Sequence, residues 1–328
     1  MAAEPLGEFE LIARFFTRPV PPGRQDIALA VGDDCALLQP GPGEQWAVST
    51  DTLLEGIHFL PTVDPADLGH KALAVNLSDL AACGATPRCC FLALALPRVD
   101  EGWLQSFSGG FLAMADAHGC VLAGGDTTRS PQGVVITVTV MGVVPRGQAL
   151  LRSGARPGDD IWVSGNLGDA AWGLALRRGE ASADAAGARS AIERLERPQP
   201  RVGLGLALRG VASGAIDVSD GLLGDLGHIL ERSRVGARIL WSRVPRSDGL
   251  RRRPDAEQLR WALQGGDDYE LLFTAPAQGR AAVEAAAGAA GVVVTRIGEI
   301  TPTGGLVLLD AAGGPMDTAP RAFDHFRP

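Results

Sequence analysis

The 328-residue chain contains one lysine, Lys71; its other basic side chains are Arg and His. That scarcity removes the lysine-dependent ways of gripping a phosphate. No G-x-x-x-x-G-K-[ST] run occurs either, so a P-loop nucleotide site is excluded. Tyrosine occurs once, at Tyr269, and aromatic residues make up only 5% of the chain. Positive charge is not in excess, and a net charge of -8 argues against a nucleic-acid backbone as partner. The five cysteines, Cys35, Cys83, Cys89, Cys90 and Cys120, form no C-x-x-C pair and no zinc spacing, and their odd number opposes a full disulfide framework. They read as reduced cytosolic thiols. No apolar run reaches the roughly 18 residues of a membrane span. The start, Met1 to Pro5, is acidic and lacks an apolar targeting core. A cytoplasmic chain with neither a membrane nor a nucleic-acid partner is expected.

With 46% hydrophobic residues the chain can bury a large core, enough for two domains. Its recurring feature is an apolar run that gives way to carboxylates and hydroxyls. Trp46-Ala47-Val48 reads as the end of a buried strand and stops in Ser49-Thr50-Asp51. Oxygen side chains at consecutive positions suit a hard cation such as Mg2+, although the same residues suit a helix cap or turn. Ile27 to Val31 runs into Gly32-Asp33-Asp34, and Val121-Leu122-Ala123 into Gly124-Gly125-Asp126-Thr127-Thr128-Arg129. The latter reads as a glycine turn where backbone approaches a phosphate, with Asp and Thr oxygens for its metal. Ala215 to Ser219 reads as a short strand with Asp217 and Ser219 on one side, followed by Asp220 as a metal ligand or as the cap of a helix over 221–233. Gly265-Gly266-Asp267-Asp268-Tyr269-Glu270 adjoins another strand.

Asp64-Pro65 predicts the start of an apolar helix that ends before Gly84. Asn76, Asp79 and Cys83 share one of its faces, and Asp79 is left little exposed surface there, so it needs a partner. Residues 134–144 predict a long strand whose apolar face could close a sheet between two subunits. Residues 179–190, rich in Ala, Ser and Gly, read as a mobile loop, and residues 152–159 as a domain boundary. Alternating strands and helices in both halves predict an α/β (α+β) protein with domains 1–150 and 151–328. Were several of these carboxylates to meet, two of them about 4 Å apart would repel by roughly 4 kcal/mol at an effective dielectric near 20. Divalent metals reverse that sign. A multi-metal phosphate site and phosphoryl transfer follow.

The stretches GEFELIARFF (7–16), GDDCALL (32–38), STDTLLEGIHF (49–59), KALAVNLSDLAACGA (71–85), GGDTTR (124–129), LLRSGARPGD (150–159), IDVSDG (216–221), GGDDYEL (265–271) and FDHF (323–326) stand in one order along nearly the whole chain. In that combination the sequence resembles the thiamine-monophosphate kinase family of the aminoimidazole-ribonucleotide-synthetase-like superfamily. The resemblance implies ATP-dependent phosphorylation of thiamine monophosphate to thiamine diphosphate with several Mg2+ ions. It also implies a two-domain subunit, whose N-terminal domain has a mixed sheet and dimer-forming strands, and a homodimer. By the family pattern Asp34, Ser49, Thr50, Asp51, Asp79, Asp126, Asp217 and Asp220 bind metal, with Asp126 and Asp220 central to catalysis. Gly125, Asp126, Arg152 and Ser219 hold ATP, and His58, Asp267 and Phe323 contact the thiamine moiety. Two positions depart from the pattern: Asp267 stands where the family usually has Glu, and Phe323 where it often has Tyr or Trp. A superfamily relative such as selenophosphate synthetase would want a reactive Cys and Lys before the first acidic turn, and residues 1–31 have neither. A metal-dependent phosphohydrolase would release ADP without an acceptor, and a non-enzymatic binding module would hold nucleotide without turnover.

Overall fold

The computed structural model describes residues 8–31, 37–302 and 305–316. Asp34 and Phe323 therefore lie outside the described residues. The chain divides into two compact units, Met1–Leu80 with Ala85–Gly147, and Ala81–Gly84 with Gln148–Pro328.

The first unit runs α1 (Glu8–Phe15), β1 (Ile27–Leu29), β2 (Leu37–Leu38), β3 (Glu44–Leu54), α2 (Pro65–Ala82), β4 (Thr86–Leu96), α3 (Glu101–Ala117), β5 (Val121–Arg129) and β6 (Val135–Pro145). Its main sheet has the order β3-β6-β4-β5; β4 and β5 are parallel and the other neighbours antiparallel. Period-2 burial is clearest on β6, where Ile136, Val138 and Val140 are buried and Val135, Thr137, Thr139 and Met141 are half-buried. The apolar face of this strand is thus consumed inside its own subunit, against the expectation that it closes a sheet between two. Helices α2 and α3 meet at glycines. A Cβ on Gly69 would lie 2.1 Å from the Phe107 carbonyl oxygen, and one on Gly110 would lie 1.9 Å from that of Ala66. Only residues without side chains permit this backbone contact.

The second unit runs β7 (Asp159–Ser164), α4 (Asp169–Arg177), α5 (Ala185–Glu196), α6 (Val202–Ala207), β8 (Gly214–Asp217), α7 (Leu222–Ser233), β9 (Gly236–Leu240), α8 (Asp248–Arg251), α9 (Asp255–Gln264), β10 (Leu271–Pro276), α10 (Arg280–Ala290), β11 (Val294–Thr301) and β12 (Leu306–Leu309). Six strands in the order β12-β9-β11-β7-β10-β8 form its sheet, antiparallel except for β12 beside β9. Ile161, Val163, Ile216, Leu226, Ile229 and Leu272 are among its fully buried core. The expected loop at 179–190 is in part helical: Asp184 accepts the Gly187 N–H at 2.7 Å and caps α5, whose Ala191 and Leu195 are buried.

Mixed sheets with helices bear out the α/β (α+β) class. Cys89, Cys90 and Cys120 are buried free thiols, and burial pushes Cys89 up to about 12, which leaves it inert. No described helix is long and apolar enough to cross a membrane.

Candidate functional site

Strand β3 does not stop at the hydroxyls. It continues through Asp51 to Leu54, paired residue by residue with β6 from Glu44↔Pro145 to Leu54↔Val135. Threonine is a good strand former, and Thr50 and Thr52 meet Thr139 and Thr137 across the ladder, with Oγ1···Oγ1 distances of 2.8 and 2.9 Å. Alternation sends Ser49 and Asp51 to the other face, where α2 lies. Ser49 Oγ donates to Asp79 Oδ2 at 2.5 Å, and the Asp51 N–H donates to Asn76 Oδ1 at 3.2 Å. The predicted Asn76–Asp79 helix face therefore meets the predicted strand. Asp79 is half-buried rather than shut off from solvent.

Gly124 and Gly125 are likewise strand residues, not a turn: β5 runs on to Arg129 with an irregularity opposite Cys90 and Phe91. Gly125 has φ +154, and a Cβ there would lie 1.9 Å from the Leu92 carbonyl oxygen, so the strand passes β4 too closely for any other residue. Asp126 follows it, exposed at the sheet edge. The register then separates the first-unit candidates. Asp51, Val138, Leu92 and Gly125 stand in one row across four strands, and Thr52, Thr137, Ala93 and Asp126 in the next. Asp51 and Asp126 occupy opposite edges, three strand spacings or about 14 Å apart along the sheet, and adjacent rows present opposite faces.

His58 follows β3 in a short turn. Its Nδ1 accepts the Leu54 N–H at 3.0 Å, so Nε2 carries the proton of the neutral ring.

In the second unit Asp217 is the last residue of β8, buried at 4% exposure and paired with Leu271. Ser219 and Asp220 lie beyond the strand and are half-buried. Asp220 is not the helix cap: Gly221 occupies that position with φ 111 and no side-chain cap. Instead Asp225 reaches back, its Oδ2 accepting the N–H groups of Ser219 and Asp220 at 3.1 Å each. Each such bond contributes about 1 kcal/mol even to a neutral carboxyl, so this side chain organises the turn in either protonation state. Burial pushes it up to about 7, against the lowering effect of those N–H donors.

Asp267 and Tyr269 both adopt left-handed backbone, φ 68 and 50, on either side of the fully buried Asp268. Asp268 accepts the Gly168 N–H with both oxygens, at 3.0 and 2.8 Å, and burial holds its pKa well above the usual carboxylate range. Tyr269 OH donates to Asp267 Oδ1 at 3.0 Å. Beneath them Glu270, with no exposure, receives Arg194, Arg201 and the Ser164 hydroxyl; Ser164 Oγ lies 2.5 Å away. Two guanidiniums offset the cost of burying that charge. Arg152 is exposed, and its carbonyl accepts the Ser233 hydroxyl at 3.2 Å. Asp225, Glu270 and the two arginines escape sequence reading because each serves a neighbour's backbone or charge. The one available signal is an Asp four residues after the glycine that opens α7.

Among the described residues no three His, Cys, Asp or Glu side chains converge as a ready metal cage. The candidate donors are nevertheless all oxygen. Mg2+ commonly keeps waters and takes one or two carboxylates together with substrate phosphates. Pairs such as Ser49–Asp79 fit an ion whose shell a nucleotide completes.

The model for the AIR synthase related protein N-terminal domain matches residues 32–144, and that for the C-terminal domain matches residues 156–310. The thiamine-monophosphate kinase of Escherichia coli strain K12 is 51% identical over 98% of both chains. A crystal structure of the kinase of that name from Stenotrophomonas maltophilia K279a is 49% identical with TM-score 0.83, over 90% of this chain and 93% of that one. A structure of AaThiL complexed with AMPPCP and TMP is 30% identical with TM-score 0.75, over 88% and 89%. Two matched domains in series and half of all residues shared along the full length leave one assignment: the chain belongs to the thiamine-monophosphate kinase family of AIR synthase related proteins.

Proposed function

We propose that the chain transfers the γ-phosphoryl group of ATP to thiamine monophosphate, giving thiamine diphosphate and ADP. The observation that carries this reading is the full-length identity to kinases of that name together with intact oxygen-donor positions on β3, α2, β5 and the 217–220 turn. Ser49, Thr50, Asp51, Asp79 and Asp126 in the first unit, and Asp217 and Asp220 in the second, are the residues that would hold Mg2+; Asp34 belongs with them by sequence. Bound Mg2+ supplies positive charge that screens two phosphates from one another.

Gly125 is assigned to ATP by the family pattern, and Ser219 and Arg152 offer it a hydroxyl and an exposed guanidinium. His58, with its proton on Nε2, offers the acceptor molecule a donor, and Asp267, whose Oδ1 accepts the Tyr269 hydroxyl, offers it a carboxylate. Phe323 is assigned to the same ligand by sequence alone. The acceptor phosphate oxygen is already anionic, so no general base is needed. That oxygen attacks the γ-phosphorus, the bond to the β–γ bridging oxygen breaks, and ADP leaves. Asp79 is committed to the Ser49 hydroxyl, a poor state for a nucleophile. With γ-labelled ATP and thiamine monophosphate, label is expected in thiamine diphosphate and none in acid-quenched protein. Stoichiometric labelled protein that discharges only on adding acceptor would replace direct transfer with a phosphoenzyme.

A homodimer is part of the same reading. Among the described strands neither edge strand of the first sheet, β3 or β5, has a partner on its outer side, and β3 exposes Val48 at 57% and Leu54 at 38%. Open edges of this kind invite pairing. A second copy whose β3 meets the β5 edge, repeated by the two-fold axis, closes eight strands into a ring. The half-buried Thr137, Thr139, Met141 and Phe91 then fill its interior. It also sets Gly125–Asp126 of one copy beside Ser49–Asp51 of the other, which one sheet alone keeps apart.

A further inference from the structure

The turn 218–221 is gripped from two sides while its functional side chains stay half-buried at the surface. Asp225, 2% exposed in the first turns of α7, gathers the N–H groups of Ser219 and Asp220 at 3.1 Å each. From the opposite side the Asp267 N–H donates to the Ser219 carbonyl at 2.9 Å, and the Tyr269 N–H to that of Val218 at 2.8 Å. Successive N–H groups that converge in this way form a concavity that binds anions. Here a side chain of the protein fills it, so an incoming nucleotide cannot use those N–H groups and must be met by the Ser219 and Asp220 oxygens.

We propose that Asp225 is a positioning residue for Mg2+-nucleotide binding: by anchoring two consecutive backbone N–H groups it fixes the direction in which Ser219 and Asp220 present their oxygens. The proposal rests on the assignment of those two residues to nucleotide and metal. Asp225 touches neither ligand; it acts through the backbone of the turn, which also carries the tether to Asp267.

The test is equilibrium binding of a fluorescent ATP analogue at rising Mg2+, with no thiamine monophosphate present, so that turnover plays no part. Asp225→Ala and Asp225→Ser, which lose the reach to the N–H groups, are expected to raise the Mg2+ needed for half-maximal binding by about tenfold or more. Asp225→Asn keeps an oxygen that can accept both N–H groups and is expected to stay within about threefold of native. Thermal unfolding of each variant is recorded in parallel. Native-like binding by whichever of the Ala and Ser chains folds overturns the proposal. Equal impairment of all three variants, tracking their loss of thermal stability, overturns it too, since that is what a purely structural residue gives. If the native chain itself binds no Mg2+-nucleotide, the nucleotide assignment fails first, and the two failures are told apart.

Discussion

Asp51→Asn and Asp126→Asn chains, each inactive alone, are expected to regain roughly half of native turnover when co-expressed and purified as mixed dimers. The reason lies in the register of one sheet. Asp51 and Asp126 sit on opposite edges, in neighbouring rows, with β6 and β4 between them. Ligands of one Mg2+ lie about 2.1 Å from it, so two carboxylates about 14 Å apart cannot share an ion. If a second copy brings β5 beside β3, a mixed dimer contains one site with both carboxylates intact and one with neither. Half the sites in the purified mixed dimers are native; in the unpurified mixture, where random pairing makes about half the dimers mixed, roughly a quarter are. If each site is built within one chain, every site in a mixed dimer carries one lesion and no activity returns. Tagging the two chains differently and assaying the doubly purified species isolates the mixed dimers.

Asp79→Asn is expected to lower turnover by about a thousandfold, some 4 kcal/mol of transition-state stabilisation, with little change in thermal midpoint. Asn still offers an oxygen to the Ser49 hydroxyl, so the 2.5 Å link between α2 and β3 survives in kind. What disappears is the negative charge beside Ser49 and Asp51. Circular dichroism melts and steady-state rates over a Mg2+ series check both halves of this expectation. Near-native turnover at ordinary Mg2+ would remove Asp79 from the metal set. A large drop in melting temperature would recast it as a structural residue.

How far the sequence reveals this molecule depends on what kind of contact each residue makes. The helix at 65–82 was legible from Asp64-Pro65 and Gly84, and its Asn76–Asp79 face did find the 49–51 strand, because helical spacing is a local property. The same strand extends beyond the point its residues suggest. Ser, Thr and Asp look like a stop signal in one dimension, yet Thr50 and Thr52 are held by threonines of β6 some 85 residues away. Gly124-Gly125 misled in the same manner: the glycines answer a close passage past Leu92, not a turn. Asp220 resembled a cap because it precedes a helix, while the residue that satisfies the turn is Asp225, one helical turn inside. Helix α5 was hidden by Ala, Ser and Gly with little apolar period. Alternation along residues 215–219 singles out Asp217 and Ser219, whereas the roles of Arg152 and His58 come only from the family pattern, because an exposed Arg and a lone His carry no local signal.

The central claim, ATP-dependent phosphorylation of thiamine monophosphate, is tested most directly by following ADP release and thiamine diphosphate formation together, with Mg2+-ATP present and thiamine monophosphate present or absent. The account predicts one ADP for each thiamine diphosphate and almost no ADP without the acceptor. Equal ADP release with and without thiamine monophosphate, or ADP release that leaves thiamine monophosphate unconverted, would contradict it.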